Sequence, residues 1–141
     1  MANRILIESE HPSFRPLERH LASVMRKVLQ HLRKERCIVE LTLLTDGTMR
    51  DYNRKFRKKD RPTTVLSFDA KKRFPRPDLG EGRYLGELFL APRYIKSVCQ
   101  DIDLLAVHGV LHLLGYTHGA RHARITMERR ERVLARALGK K

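Results

Sequence analysis

Three of the seven histidines fall within eleven residues, His108-Gly109-Val110-Leu111-His112-Leu113-Leu114-Gly115-Tyr116-Thr117-His118. On a helix His108 and His112 stand at i and i+4, one above the other and about 6 Å apart. Two ring nitrogens so placed can reach one ion at roughly 2 Å each. Gly115 permits the left-handed turn that ends a helix, and three residues later the returning chain can supply His118. Three protein ligands with a fourth position left for water is the layout of a catalytic zinc site, whereas structural zinc is closed by four. An isolated H-x-x-x-H pair is commonly two surface histidines. Here the neighbours Leu104, Leu105, Ala106, Val107, Val110, Leu111, Leu113 and Leu114 make the helix apolar nearly all round. Imidazoles on a buried helix need partners or they cost a few kcal/mol each. The same spacing occurs in H-E-x-x-H-x-x-G-x-x-H metalloproteases, but the position of their general base is Gly109 here. Glycine accepts no proton, so the metal reading stands and the peptidase reading does not. His122 extends the cluster into a basic stretch, and His11, His20 and His31 read as surface residues.

The elements that must position this cluster follow from pattern. Arg4 to Ile7 reads as a strand. Leu17, Leu21, Val24, Val28 and Leu32 recur at helical spacing to about Glu35. Ile38 to Thr45 is a strand stopped by Asp46-Gly47. Thr48 is placed to cap a helix burying Met49, Tyr52 and Phe56, which Pro62 prevents from continuing. Val65 to Phe68 is a short strand, and Asp69 to Arg83 has the composition of a mobile loop. Tyr84 to Ala91 is a strand with a break at Gly86-Glu87. Asp103 opens the histidine helix, which runs through Leu114. A last helix spans about Ala120 to Leu138, with Ile125, Val133 and Leu134 available to dock. Strands interleaved with helices make one α+β domain over 1–141.

Charge narrows the function. The 141 residues carry 30 Lys+Arg against 16 Asp+Glu, a formal +14. An excess of that size points to a polyanion, most commonly nucleic acid. No apolar run is long enough for a spanning helix, and the N-terminus stops being apolar after three residues, so no membrane association and no secretory signal are expected. Cys37 and Cys99 lack C-x-x-C spacing, which excludes a thiolate zinc site. The expected setting is cytoplasmic. One basic run is Arg50, Arg54, Lys55, Arg57, Lys58, Lys59 and Arg61, offset by Asp51 and Asp60. Another is Lys71-Lys72-Arg73, on the loop, placed to close over a bound polyanion, and a third is the stretch from Arg121 to Lys141. The last lacks interleaved aromatics and suits backbone tracking.

Three blocks resemble the YbeY-type rRNA maturation factors, single-strand-specific endoribonucleases. The segment His108 to His118 is similar to H-G-x-L-H-L-x-G-Y-D-H, and Asn53 to Phe68 resembles N-x-x-[YF]-R-x-K-D-x-P-T-[DN]-V-L-S-F. Leu85-Gly86-Glu87-Leu88 resembles L-G-D-[IL]. The resemblance implies a zincin-like fold, with helices around a small mixed sheet and a metal site at the end of a buried helix. It implies one Zn2+ held by His108, His112 and His118, and Arg57 as the arginine of the RNA cleft. The adjacent Lys58, Lys59 and Arg61 become candidate RNA contacts. It further implies action at the 3′ end of 16S rRNA, ribosome quality control, and the small ribosomal subunit as partner. The alternative is a non-catalytic, zinc-containing RNA-binding ribosome-assembly factor. Thr117 and Thr64 depart from the pattern, and the connection from Ala91 to Asp103 is short, as if a helix were trimmed. No general base is evident; Glu87 and Asp69 are candidates, against a plainer role in salt bridges or solvation.

Overall fold

The computed structural model describes residues 2–70, 76–116 and 121–140. Its strands are β1 (Arg4–Ser9), β2 (Cys37–Leu43), β3 (Val65–Asp69) and β4 (Arg83–Leu90). Its helices are α1 (Arg15–His31), α2 (Asp46–Arg57), α3 (Pro92–Ser97), α4 (Ile102–Leu113) and α5 (Arg121–Ala137). The sheet runs β1-β2-β4-β3; β1 and β4 lie parallel to β2, and the outer strand β3 is antiparallel to β4. This is the mixed sheet of an α+β protein. Lys71, Lys72 and Arg73 of the expected loop lie outside the described residues, while Pro77–Leu79 forms a 3-10 turn.

Alternation along the strands sorts the two faces. Ile7, Leu41 and Leu88 stand in register, as do Ser9, Leu43 and Leu90; the four leucines join Leu21, Met25, Val28, Val107, Val110 and Leu111 in the main core, and Ile7 packs against it. Thus α1 and α4 cover one face. The other face carries Leu66 and Phe89 under Met49 of α2, with Leu44 and Ala91. The expected break in β4 is a register shift in which Leu85 is skipped between Tyr84↔Ile38 and Gly86↔Val39. Gly86 has φ +136°, and a Cβ there would fall on the Phe68 carbonyl oxygen and 2.9 Å from a Leu113 methyl. A side chain at this junction of β3, β4 and α4 has no room.

Several local expectations need correction. The α2 cap is Thr45, whose Oγ1 accepts the Thr48 N–H at 3.4 Å; Thr48 is already inside the first turn. Glu10 fastens this cap by accepting from the Thr45 N–H at 2.7 Å, and it also accepts from the Thr48 hydroxyl. Pro62 does not end α2. Lys58 ends it by turning left-handed, with φ 57°. Phe56 is 51% exposed rather than buried, and Asn53 takes the inner position instead. On α5, Met127 and Leu134 are the buried anchors, while Ile125 and Val133 face outward. The connection after β4 contains α3, a helix of six residues.

Candidate functional site

The Asp101 carboxylate caps α4, accepting from the Asp103 and Leu104 N–H groups at 2.9 and 3.4 Å. That helix is buried among the main core residues, and Gly115, at φ +98°, ends it as the sequence indicates. His108 and His112 keep the predicted i, i+4 relation. Their ring centroids are 4.5 Å apart, closer than the backbone spacing suggests, and the rings stand at 71° to one another rather than stacked. Both are half-buried and line one cleft. The third predicted ligand, His118, lies outside the described residues, as does Thr117. Among the described residues no set of three His, Cys, Asp or Glu is gathered about a point. The two imidazoles converging on one cleft fit a metal such as zinc, whose borderline-soft character suits nitrogen donors.

Gly109 has a structural reason for lacking a carboxylate. A Cβ there would lie 2.8 and 2.9 Å from the two terminal methyls of Leu88, so α4 rests directly on β4. A glutamate at this position would have to begin inside the core.

One contact was invisible to sequence reasoning. The His108 Nδ1–H donates to Glu131 Oε2 of α5 at 3.0 Å. An ionised carboxylate only accepts, so this bond calls for a proton on Nδ1, and in the neutral ring it is then Nε2 that carries the lone pair a metal needs. Glu131 lies 23 residues away on a helix whose composition is mainly basic, with Glu128 and Glu131 as its acidic residues.

The cleft, of about 640 Å³, runs over the outer strand. Residues 63–68 form its floor, His108 and His112 one wall, and Phe56 and Arg57 the other. Arg57 is exposed at the last turn of α2 and makes no ion pair among the described residues. The rest of the basic run divides. Arg50 donates to Asp60 at 2.8 Å and Arg54 to Asp51 at 3.2 Å; the Arg50 guanidinium holds the Asp60 carboxyl below the usual carboxylate range. Lys58, Lys59 and Arg61 are exposed beside the cleft but do not line it. Buried Asn53 shapes this turn: its Nδ2 donates to the Arg61 carbonyl at 2.8 Å and its own carbonyl accepts the Lys59 N–H at 3.3 Å. Thr64 lines the cleft, and its carbonyl accepts the Ala91 N–H at 3.2 Å.

The two candidate bases are not in this cleft. Glu87 is in register with Phe68 and Glu40, one residue from Leu88, and therefore on the sheet face opposite α4. Asp69 ends β3 and lines a separate cavity with Leu113, Leu114 and Gly115. His20 is not an idle surface residue. Its Nε2 lies 2.9 Å from both oxygens of buried Asp103, and Lys140 approaches the same carboxylate at 3.2 Å.

Fold and site together define a small α+β protein with paired imidazoles facing a guanidinium across the outer strand of its sheet. The family model described as Endoribonuclease YbeY matches residues 6–139. The chain belongs to this endoribonuclease family. The Endoribonuclease YbeY of Persephonella marina is 35% identical over 124 residues, covering 82% of this chain and 79% of that protein. That of Moorella thermoacetica is 32% identical over 141 residues, covering 88% and 90%. A Thermotoga maritima protein solved in solution shares the fold, with a TM-score of 0.54 at 20% identity over 95% of this chain and 91% of that one. No helix among the described residues is long and apolar enough to cross a membrane.

Proposed function

We propose that residues 1–141 form one catalytic unit, a zinc-dependent endoribonuclease that cuts single-stranded RNA in the 16S rRNA 3′ region. Its setting is the cytoplasm, with the small ribosomal subunit as partner. The observation that carries this reading is the shared cleft of His108, His112 and Arg57 in a chain of formal charge +14. Guanidinium pairs bidentately with phosphate oxygens and stays charged, so Arg57 is suited to hold the scissile phosphate and to offset the charge that develops on it. His108, oriented by Glu131, His112 and His118 are the ligands proposed for zinc. When bound, zinc supplies a Lewis acid for the phosphoryl group and lowers the pKa of water. Lys58, Lys59 and Arg61 extend the positive field to neighbouring phosphates, a salt-sensitive contribution.

The test is cleavage of a labelled single-stranded rRNA fragment by protein cleared of contaminating nuclease. His112→Ala and Arg57→Ala are each expected to abolish cleavage with the fold intact by circular dichroism. Cleavage retained by Arg57→Ala removes its catalytic role. Tight RNA binding by the wild type without turnover under all metal conditions favours the assembly-factor alternative.

A further inference from the structure

Phe56 is a large apolar side chain left half in solvent, and it stands one residue before Arg57 in the wall of the cleft. It is not loose. Its ring centroid lies 5.1 Å from that of Phe68 at 67°, and 6.0 Å from that of Tyr52 at 81°. Behind these, Phe89 lies 5.7 Å from Phe68 and 5.2 Å from Tyr52, again steeply tilted. The four rings form a closed cycle of steeply tilted contacts between α2 and the strands β3 and β4. Neither aromatic neighbour of Phe56 lies flat on it, and the exposed Lys55 places its Nζ over the ring face, 5.4 Å from the centroid. Exposing half of a phenylalanine while bracing it on two sides makes little sense for stability alone. It suits a rigid aromatic surface with cationic groups beside it.

We propose that Phe56 stacks on an unpaired nucleobase of the substrate, next to the phosphate held by Arg57. This rests on the RNA reading above and deepens it, because it gives the cleft a reason to prefer single strands. A base in a duplex is already stacked on both sides, whereas an unpaired base offers a free π-face. Stacking on any base is possible, so the contact selects strandedness rather than sequence.

The chain contains no tryptophan, so Phe56→Trp creates a single fluorescent reporter at the contact itself. The probes are a short unstructured 2′-O-methyl RNA, its duplex, and a ribose-phosphate oligomer of equal length without bases. Expected is strong quenching of the introduced indole's emission by the single strand, and little by the duplex or the abasic oligomer. By anisotropy, Phe56→Leu weakens binding of the single strand about 5- to 100-fold, the equivalent of one lost stack, and leaves the abasic oligomer unaffected. The exposed position makes either variant compatible with folding. Full-affinity binding of the single strand by Phe56→Leu, with unchanged indole emission from Phe56→Trp, overturns the stacking role while leaving RNA binding in place. Failure of the wild type to bind any of the three probes overturns both.

Discussion

Replacing Gly109 by alanine adds one methyl at the point where the histidine helix touches the sheet. The new carbon would sit 2.8 and 2.9 Å from the Leu88 methyls and 3.4 Å from its Cγ, against the 3.5–4.0 Å at which carbon atoms attract. Leu88 is fully buried and has no solvent to swing into. Overpacking of this kind costs about 1–3 kcal/mol, and the helix preference for alanine over glycine returns about 1 kcal/mol. The net expectation for Gly109→Ala is a loss of about 0–2 kcal/mol. Leu88→Ala alone deletes both methyls and costs about 2–5 kcal/mol through the void it leaves. In the double variant the methyl introduced on the helix points into that void. The steric term vanishes, so the pair should be more stable than the sum of the singles by about 1–3 kcal/mol. Urea denaturation of the four proteins closes the cycle, read from the midpoints with unchanged m-values. Additivity within about 0.5 kcal/mol would refute the claim that Gly109 exists to seat α4 on Leu88.

Removing the Glu131 carboxylate should loosen the metal and lower stability. Glu131→Ala is expected to weaken zinc binding about 10- to 100-fold in competition with a chromophoric chelator, and unchanged affinity would deny Glu131 its orienting role. The melting temperature should fall as well, since both partners of the bond are only about a quarter exposed and leaving the mostly buried imidazole without this acceptor costs about 1–3 kcal/mol. Lys140 sets an acid response. Burial pushes the Asp101 carboxyl up, but the Lys140 ammonium and the N–H groups of Asp103 and Leu104 outweigh it, leaving the group below its ordinary value. A depressed carboxylate stabilises the fold above its unfolded pKa, about 3.9, and that stability is lost as pH falls through the folded value. The melting temperature should therefore drop below about pH 4, with a shallower drop in Lys140→Gln; identical acid limbs would contradict this. Lys140 itself is shifted upward by Asp101 and Asp103, so its share of the stability disappears only as pH rises past the ordinary lysine range.

What the sequence disclosed and what it withheld divide along one physical line. His108 and His112 were legible because helical periodicity is local, and Gly115 because a left-handed turn has a residue preference. The partners of those groups were not. Glu131 meets His108, and His20 meets Asp103, only because packed helices bring together residues 23 and 83 positions apart. Phe56 looked buried because it shares a helical face with Met49 and Tyr52. At the end of α2, however, that face is beyond the sheet's apolar face and borders the cleft at β3, so the last aromatic of the stripe emerges. Thr48 looked like a cap because nothing in the residue type distinguishes it from Thr45, three positions earlier; Thr45 holds the extended backbone a cap requires, at φ −71° and ψ 161°. In the basic run around Arg57 the sequence shows Asp51 and Asp60 as offsets but not their partners, which are Arg54 and Arg50. Arg57 is left as the cation of that run that lines the cleft.

Zinc-dependent cleavage is tested most directly by titrating zinc into metal-stripped protein, with cleavage of a single-stranded rRNA fragment as the signal. Expected is no cleavage without metal, then a rise that levels off at one zinc per chain and is absent in His112→Ala. Full cleavage by the stripped protein, or an equal response from His112→Ala, would contradict it.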